Sequence, residues 1–148
     1  MIIVNNKQAY FDYEITDKFD AGIVLSGPEV KSVKKGQVDV KGAYVSIDGS
    51  SEAWLTNCYI ALYKPAKKSQ QNYDPNMPRK LLLTKKELRF LIGKQKEKGF
   101  SIIPLEIFLK NNLIKIKIGI GRGKKKFDKR ESIKKRDFER RKQKLMVS

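Results

Sequence analysis

The chain has 148 residues and a net charge of +17, so it is long enough for one domain and strongly basic. It contains no histidine and a single cysteine, Cys58, which excludes an internal disulfide, a zinc site of the usual nitrogen and sulfur ligands, and a histidine-based acid–base pair. No stretch approaches the roughly 18 consecutive apolar residues of a transmembrane helix, and "MIIVNNKQAY" lacks the pattern of a signal peptide. We expect a cytoplasmic protein without cofactor or metal, in which Cys58 is a small buried hydrophobic residue.

The positive charge is distributed unevenly along the chain. Residues 1–120 contain 20 basic and 12 acidic side chains, a net charge of +8, whereas residues 121–148 contain 13 and four, a net charge of +9. Charge of one sign destabilises a compact state unless a partner neutralises it. Nucleic acid is the commonest such partner, and an anionic membrane surface is the second alternative. We therefore divide the chain into a body, residues 1–120, and a basic C-terminal tail, residues 121–148.

The first half of the body predicts four strands and one helix. "YFDYEI" (10–15) and "GIVLSG" (22–27) have the composition of strands on either side of the polar stretch 16–21. "PEVKSVKKG" (28–36) begins with proline and ends with glycine, which is typical of a short helix. "AYVSI" and "EAWLTNCYIAL" flank the turn "DGSS" and predict a hairpin.

The second half predicts a helix and a second hairpin after a long exposed loop at 64–80. Thr84 and Glu87 have the spacing of a capping box at the start of a helix over 84–99. "IIPLEIFLK" and "IKIKIGI" show the alternation of strands, and Asn111-Asn112 between them suits a tight turn. Pro104 should lie near a strand start or a sheet edge. We interpret the glycines of "GIGRG" (119–123) as a strand end and hinge rather than as a phosphate-binding loop.

Together these elements predict a mainly β fold with helices. The body is expected to be a six-stranded antiparallel OB-like barrel with flanking helices, followed by the basic tail. Barrels of this kind commonly bind oligonucleotides, but a fold alone does not establish a function.

The tail carries 13 lysines and arginines among the 24 residues from Gly121 to Lys144. Its pairs of opposite charge at i, i+4 are each worth only about 0.2–0.5 kcal/mol in a helix, so we expect the free tail to be disordered and to become helical when phosphates neutralise it. Phe127, an aromatic residue among lysines, favours an RNA-binding arm because it can stack on a base. The alternative is a solvated tail that serves solubility.

The body also offers basic residues at regular positions. Lys31, Lys34 and Lys35 follow one turn of the predicted helix, and Lys115 and Lys117 project from the polar face of a predicted strand. A tyrosine beside Lys7 could stack on a base. Asp20 and Glu29 lack a third group that would make them a catalytic pair, so we expect them to pair with lysines or to accept hydrogen bonds, and we do not expect an enzyme.

Four segments in this order resemble the SsrA-binding protein family, also called small protein B: "NKQAYFDYEI", "FDAGIVLSGPEVKSVKKG", "YDPNMPRKLLLTKKEL" and "KIKIGIGRGKKKFDKRESIKKRDFERR". The resemblance extends from about Asn6 to Met146. It implies an OB-like barrel that binds the tRNA-like domain of transfer-messenger RNA (tmRNA) and delivers it, together with elongation factor Tu, to a stalled ribosome for trans-translation. It further implies that the tail occupies the empty mRNA channel near 16S rRNA and the decoding centre. No membrane or DNA partner is expected.

The resemblance and the basic surface together give a set of expected RNA-binding residues in the body. Asp20 stands where the family often has Glu, and Thr84 where some members have Asn. The expected tmRNA-binding residues are Asn6, Lys7, Tyr13, Asp20, Lys31, Leu82, Thr84 and Lys115.

A second set of residues is expected to contact the ribosome through the tail. Phe127 replaces a residue that is often His in the family, which preserves stacking but not a charged hydrogen bond. The expected residues are Gly123, Lys124, Lys125, Lys126, Phe127, Asp128, Lys129, Arg130, Lys134, Lys135, Arg136, Arg140 and Arg141.

Two other functions remain open at the level of sequence. A general OB-fold RNA-binding or RNA-chaperone protein of the translation apparatus would bind many RNAs alike. An RNA-modifying enzyme or nuclease is disfavoured because the chain has no histidine and no carboxylate cluster.

Overall fold

The computed structural model describes residues 1–124, and the tail residues expected to act from Lys125 onward lie outside this range. It contains nine strands, three α-helices and one 3₁₀ helix. The strands are β1 (Ile2–Asn5), β2 (Tyr13–Ile23), β3 (Val38–Asp39), β4 (Tyr44–Ile47), β5 (Ala53–Thr56), β6 (Tyr59–Ile60), β7 (Arg79–Leu82), β8 (Phe100–Lys110) and β9 (Leu113–Gly123). The helices are α1 (Lys7–Asp12), α2 (Gly27–Lys34), the 3₁₀ helix (Lys64–Gln70) and α3 (Lys85–Lys96).

Six antiparallel strands close into a ring, which confirms the predicted OB-like fold. Their order is β8-β4-β5-β7-β2-β9, and the pairing of β9 with β8 closes the ring. β1 adds to β8, and β3 and β6 form a separate two-stranded sheet. The core inside the ring consists of alternate strand residues, including Ile116, Ile118 and Ile120 of β9, which are fully buried as the alternation predicts.

Several local predictions are confirmed by the structure. Thr84 caps α3 and forms the capping box with Glu87, and the hairpin β8–β9 turns at Asn111 and Asn112, both of which have positive φ. Cys58 is fully buried, and this burial raises the pKa of its thiol to about 11. It therefore behaves as the small hydrophobic residue expected from the sequence.

The predicted pair of strands near the N-terminus is wrong. The stretch 16–21 is not a turn but the middle of β2, where exposed Thr16, Lys18 and Asp20 alternate with less exposed residues. Its polar composition hid a strand period of two. The start of "YFDYEI" belongs instead to α1, because the side chain of Asn6 accepts a hydrogen bond from the Ala9 amide and caps that helix.

Two further predictions need correction. Pro104 lies within β8 rather than at its start, next to a register shift between Pro104 and Glu106, where a bulge tolerates its missing amide hydrogen. The loop 64–80 is not exposed throughout, since its last two residues begin β7 and Arg79 is almost fully buried.

The glycine hinge predicted at 119–123 is also wrong, because β9 continues to Gly123 and pairs with β2 along this stretch. A Cβ at Gly119 would lie 2.7 Å from Leu105 Cδ1, and a Cβ at Gly121 would lie 2.8 Å from Tyr13 Cβ. These glycines make room for a small apolar cluster between α1 and the outer face of the barrel, consisting of Ala9, Ile103 and Leu105 with Tyr13 and Ile15 against it.

A buried ion pair joins α2 to β7. Arg79 Nε donates to Glu29 Oε2 at 2.8 Å, and both side chains are at most 3% exposed. Arg79 also donates to the backbone oxygens of Cys58 and Pro75 and to the hydroxyl of Tyr73. Each guanidinium nitrogen therefore has a partner, which is the condition under which a charge can be buried.

Breaking this ion pair should destabilise the fold strongly. We expect Arg79→Met to lower the free energy of unfolding by about 3–5 kcal/mol, because Glu29 would remain buried without its partner. In a double-mutant cycle measured by urea denaturation, Glu29→Met combined with Arg79→Met should cost less than the sum of the single substitutions.

The matched control is Lys80→Met, which removes the exposed Lys80–Glu52 pair, 3.4 Å long with side chains about two-fifths exposed. It should cost less than about 1 kcal/mol. If Arg79→Met lowered the free energy of unfolding by no more than Lys80→Met, the fold would not depend on the buried pair.

The glycine contacts give a second stability prediction. Gly121→Ala should lower the free energy of unfolding by about 1–3 kcal/mol, because its Cβ would overlap Tyr13. Gly123→Ala is the control, since a Cβ there meets no atom within 4 Å and should change stability by less than about 0.5 kcal/mol. Equal urea midpoints for the two variants would contradict the close packing of β9 against Tyr13.

Candidate nucleic-acid interface

The strand pairing brings Leu82 and Lys115 to the same outer face of the barrel. Gly22 of β2 lies opposite Leu82 on one side and opposite Lys115 on the other. Two strand spacings separate Leu82 from Lys115, roughly 10 Å. Gly22 has no side chain, and an added Cβ would lie 3.2 Å from Leu82 Cβ. Leu82 Cδ1 would lie 3.4 Å from the same Cβ, so the exposed leucine leans over Gly22 in the row that ends at the lysine.

Asp20 belongs to the same face because it precedes Gly22 by two residues in β2. It lies opposite Lys117, whose ammonium is 3.6 Å from Glu106 Oε1. The ion pairs between described residues do not include Lys115. Among the described residues, Lys115 therefore has no carboxylate within ion-pair distance, and the same holds for Lys18, which precedes Asp20 by two residues in β2 and lies 5.2 Å from the centroid of the Tyr10 ring.

Thr84 lies two residues beyond Leu82, but its hydroxyl is already engaged. It accepts from the Glu87 amide at 3.2 Å and donates to Glu87 Oε1 at 2.9 Å as the cap of α3. A contact from Thr84 to RNA would have to use its remaining lone pair or replace the bond to Glu87. We call Asp20, Leu82, Thr84 and Lys115 the strand patch.

Asn6, Lys7 and Tyr13 form a second group around α1. Tyr13 pairs with Gly123 at the far end of β2, nine residues along the strand from Gly22. Lys7 is exposed. Asn6 is buried, and Asn6 Nδ2 donates to the Pro104 carbonyl at 2.8 Å. Because Asn6 also caps α1, its role in the structure is to fix this group rather than to present free donors. We call Asn6, Lys7 and Tyr13 the helical patch.

A groove beside the helical patch was not predicted from the sequence. It has a volume of about 540 Å³, and its lining includes the aromatic rings of Tyr13, Tyr44 and Phe100 together with polar groups of Ser46, Gln95 and Ser101. These residues come from β2, β4, α3 and β8, so no local motif could have indicated it. Some of these groups are already engaged, since the ammonium of Lys94 lies 4.9 Å from the centroid of the Phe100 ring and the Gln95 amide bonds to the backbone of Ile47.

Lys31 lies apart from both patches, on α2. Its ammonium is 5.5 Å from the centroid of the Tyr63 ring, and the ammonium of Lys35 is 5.0 Å from the same centroid. The sequence placed the lysines on one helical turn correctly, but Tyr63 was missed because it is about 30 positions away in the chain.

Between residues 1 and 124, no cluster of three or more potential metal ligands is present. Every buried side-chain nitrogen and oxygen in that range has a hydrogen-bond partner. No helix in the same range is long and apolar enough to cross a membrane.

Comparison with known proteins agrees with the resemblance. The model of the family described as "SmpB protein" matches residues 3–148. SsrA-binding proteins of Sulfurihydrogenibium sp. and Persephonella marina are each 49% identical over 139 residues, covering 94% of this chain and 90% of theirs. The SsrA-binding protein of Oceanobacillus iheyensis is 45% identical over the same length.

A solved structure gives the same result at the level of the fold. It comes from a study of tmRNA–SmpB and the bacterial ribosome, is 41% identical, and superposes with a TM-score of 0.68 over 88% of this chain and 93% of its own. The chain belongs to the SmpB family, the SsrA-binding proteins, a family of RNA-binding proteins rather than enzymes.

Proposed function

We propose that this protein binds the tRNA-like domain of tmRNA and delivers it to stalled ribosomes in the bacterial cytoplasm for trans-translation. The observation that carries the proposal is the row Leu82–Gly22–Lys115 on the barrel surface. It combines an exposed apolar side chain that lies over a glycine with a lysine outside any ion pair of the described residues, within roughly 10 Å. Relatives named for SsrA binding and a neighbour from a tmRNA–SmpB study support this RNA as the ligand.

Each side chain of the strand patch suits a different part of a folded RNA. Lys115 is suited to a phosphate because it is a point charge with three donors. Leu82, which is 54% exposed, can pack against the flat face of a base or sugar. Asp20 is exposed and can accept a hydrogen bond from a base amine or a ribose 2′-hydroxyl, the group that distinguishes RNA from DNA.

The tail leaves the body at the opposite end of β9 from the strand patch. Gly123 and Lys124 lie next to α1, where the Lys124 amide donates to the Asp12 carbonyl at 3.0 Å. Lys115 and Gly123 are separated by eight residues of one strand, roughly 26 Å. One RNA can therefore occupy the strand patch while the tail reaches a second. We propose that the tail enters the empty mRNA channel, and that elongation factor Tu joins through the tmRNA complex.

The proposal is tested by binding in competition. Full-length protein should retain labelled tRNA-like domain of tmRNA at about 0.15 M salt in a large excess of mixed tRNA, because specific contacts add to the salt-dependent phosphate term. Displacement of the label in proportion to the mass of tRNA would instead favour a general RNA-binding protein or RNA chaperone.

Lys115 should make one phosphate contact. We expect Lys115→Gln to weaken binding to the tRNA-like domain and to reduce the slope of log K against log salt by about 1. Lys96→Gln is the control, because Lys96 is an exposed lysine on α3 outside both patches. An equal change in slope for both variants would remove Lys115 from the interface.

Removal of the tail should separate RNA binding from ribosome rescue. A chain ending at Gly123 should keep specific binding to the tRNA-like domain in the competition assay but fail to support tagging in a reconstituted translation system. A variant with residues 124–148 scrambled keeps the same charge and is also expected to fail. Tagging by the scrambled chain would show that charge alone suffices, and loss of specific binding by the shortened chain would contradict the division between body and tail.

A further inference from the structure

Most of the net charge of the body lies in two short segments that the proposed function does not use fully. Residues 30–38 and 59–73 contain six lysines and no acidic residue, while residues 1–120 have a net charge of only +8. We call these six residues the lysine surface: Lys31, Lys34, Lys35, Lys64, Lys67 and Lys68.

The fold brings the two segments together. Val38 of β3 pairs with Ile60 of β6, and the Ala61 amide donates to the Gln37 carbonyl at 3.0 Å. The hydroxyl of Ser32 in α2 donates to the Ala61 carbonyl at 2.7 Å. The lysines of α2 therefore lie beside the chain that leads directly into the 3₁₀ helix with its own three lysines.

Tyr63 lies between the lysines of α2 and those of the 3₁₀ helix, and its ring contacts two lysines at the end of α2. Lys31 and Lys35, one helical turn apart, place their ammonium groups 5.5 and 5.0 Å from the centroid of its ring. This cation–π arrangement restricts two side chains that would otherwise be mobile. A base that stacked on Tyr63 would compete with these two ammonium groups for the face that they cover.

Hydrogen bonds make the supporting loop rigid. Gln70 accepts from the Tyr63 amide at 3.1 Å and donates to the Tyr63 carbonyl at 2.7 Å and the Ala66 carbonyl at 2.8 Å. The acidic residue of α2, Glu29, is withdrawn from the surface into its ion pair with Arg79. The surface therefore presents positive charge from both helices, and the exposed carboxylate nearest to it in the sheet is that of Asp39, which pairs with Tyr59.

We propose that the lysine surface is a separate binding site for the phosphate backbone of double-stranded RNA. Proteins that bind single strands combine positive charge with free aromatic rings for stacking, whereas A-form duplexes are recognised through phosphates and shape. The lysine surface fits the second pattern better, because Tyr63 already binds two of its six ammonium groups. That the duplex is RNA rather than DNA rests on the proposed function. That the site binds the phosphate backbone of a duplex is argued from the lysines alone.

A membrane surface fits the same residues less well. Segments that lie on membranes present a continuous apolar face beneath their lysines. In residues 30–38 and 59–73, the large apolar side chain that is most exposed is Tyr59, and the other side of α2 is buried in the barrel. Binding to anionic vesicles is therefore an alternative that the experiment below must exclude.

The test compares two triple substitutions in the full chain with the same loss of charge. Lys31→Gln, Lys34→Gln and Lys35→Gln together remove the α2 half of the lysine surface. Lys86→Gln, Lys96→Gln and Lys98→Gln together remove three exposed lysines on and after α3. The probes are a blunt RNA duplex of about 16 base pairs, a span that duplex-binding domains cover, and a single strand of the same length.

The α2 variant should reduce the slope of log K against log salt for the duplex by about 2–3, and the α3 variant should leave it nearly unchanged. Equal changes for the two variants, a larger change on the single strand than on the duplex, or a loss confined to anionic vesicles would each overturn the proposal.

Substitutions of Tyr63 test whether the ring orients the lysines, because they leave the charge of the surface unchanged. Tyr63→Phe should bind the duplex like the parent chain, because the ring is kept. Tyr63→Leu should bind more weakly with an unchanged salt slope, because the lysines remain but are no longer held. Equal affinity for the Phe and Leu variants would show that the ring has no part in the site.

The source of the duplex is distinguished by two further probes. If the α2 variant binds the tRNA-like domain of tmRNA more weakly than the parent chain, the duplex is a helix of that RNA. If the variant co-sediments less with ribosomes, the duplex belongs to ribosomal RNA. Either result supports the site. If the parent chain failed the competition with mixed tRNA, the proposed function would fall, while the comparison on the isolated duplex would still decide this proposal.

Discussion

The buried pair of Arg79 and Glu29 is the interaction on which the arrangement of the surface depends. Glu29 uses one carboxylate oxygen to cap the start of α2 through the Ser26 amide and the other to bind Arg79. Arg79 in turn begins β7, whose last residue is Leu82. One ion pair thus fixes the helix that carries Lys31 and the strand that presents Leu82. A buried pair contributes little net stability relative to apolar packing, so its structural effect here is to fix the position of α2 against β7.

The length of β2 and β9 separates the strand patch from the start of the tail. The two strands pair from Tyr13–Gly123 to Gly22–Lys115, about twice the usual strand length. Such a long ribbon must bend around the barrel, and the register shift between Ile15 and Asp17 supplies a bulge at which it can do so. Gly119 and Gly121 then allow Leu105 and Tyr13 to lie against its outer face. The strand patch and the start of the tail are consequently at opposite ends of a rigid element.

The sequence predicted what depends on local periodicity and missed what depends on long-range contacts. The capping box of Thr84, the hairpin at Asn111 and the alternation of Ile116 to Ile120 are local patterns, and all three are confirmed. The burial of Arg79 could not be predicted, because its partners Glu29 and Cys58 are 50 and 21 residues away. The same reason hid the contact of Tyr63 with Lys31. The residues of the strand patch were indicated by resemblance to a family, and only the pairing of β7, β2 and β9 shows that Leu82, Asp20 and Lys115 share one face.

The distribution of charge suggests an order of events in binding. The tail holds more than half of the net charge, and long-range attraction to phosphate depends on total charge and falls steeply with salt. On the function that we propose, the tail would govern mainly the rate of encounter with RNA, without selectivity. The strand patch adds few charges, and its leucine, carboxylate and lysine would supply selectivity through their fixed positions on the barrel. Changes to the body should then affect dissociation, and changes to the tail should affect association.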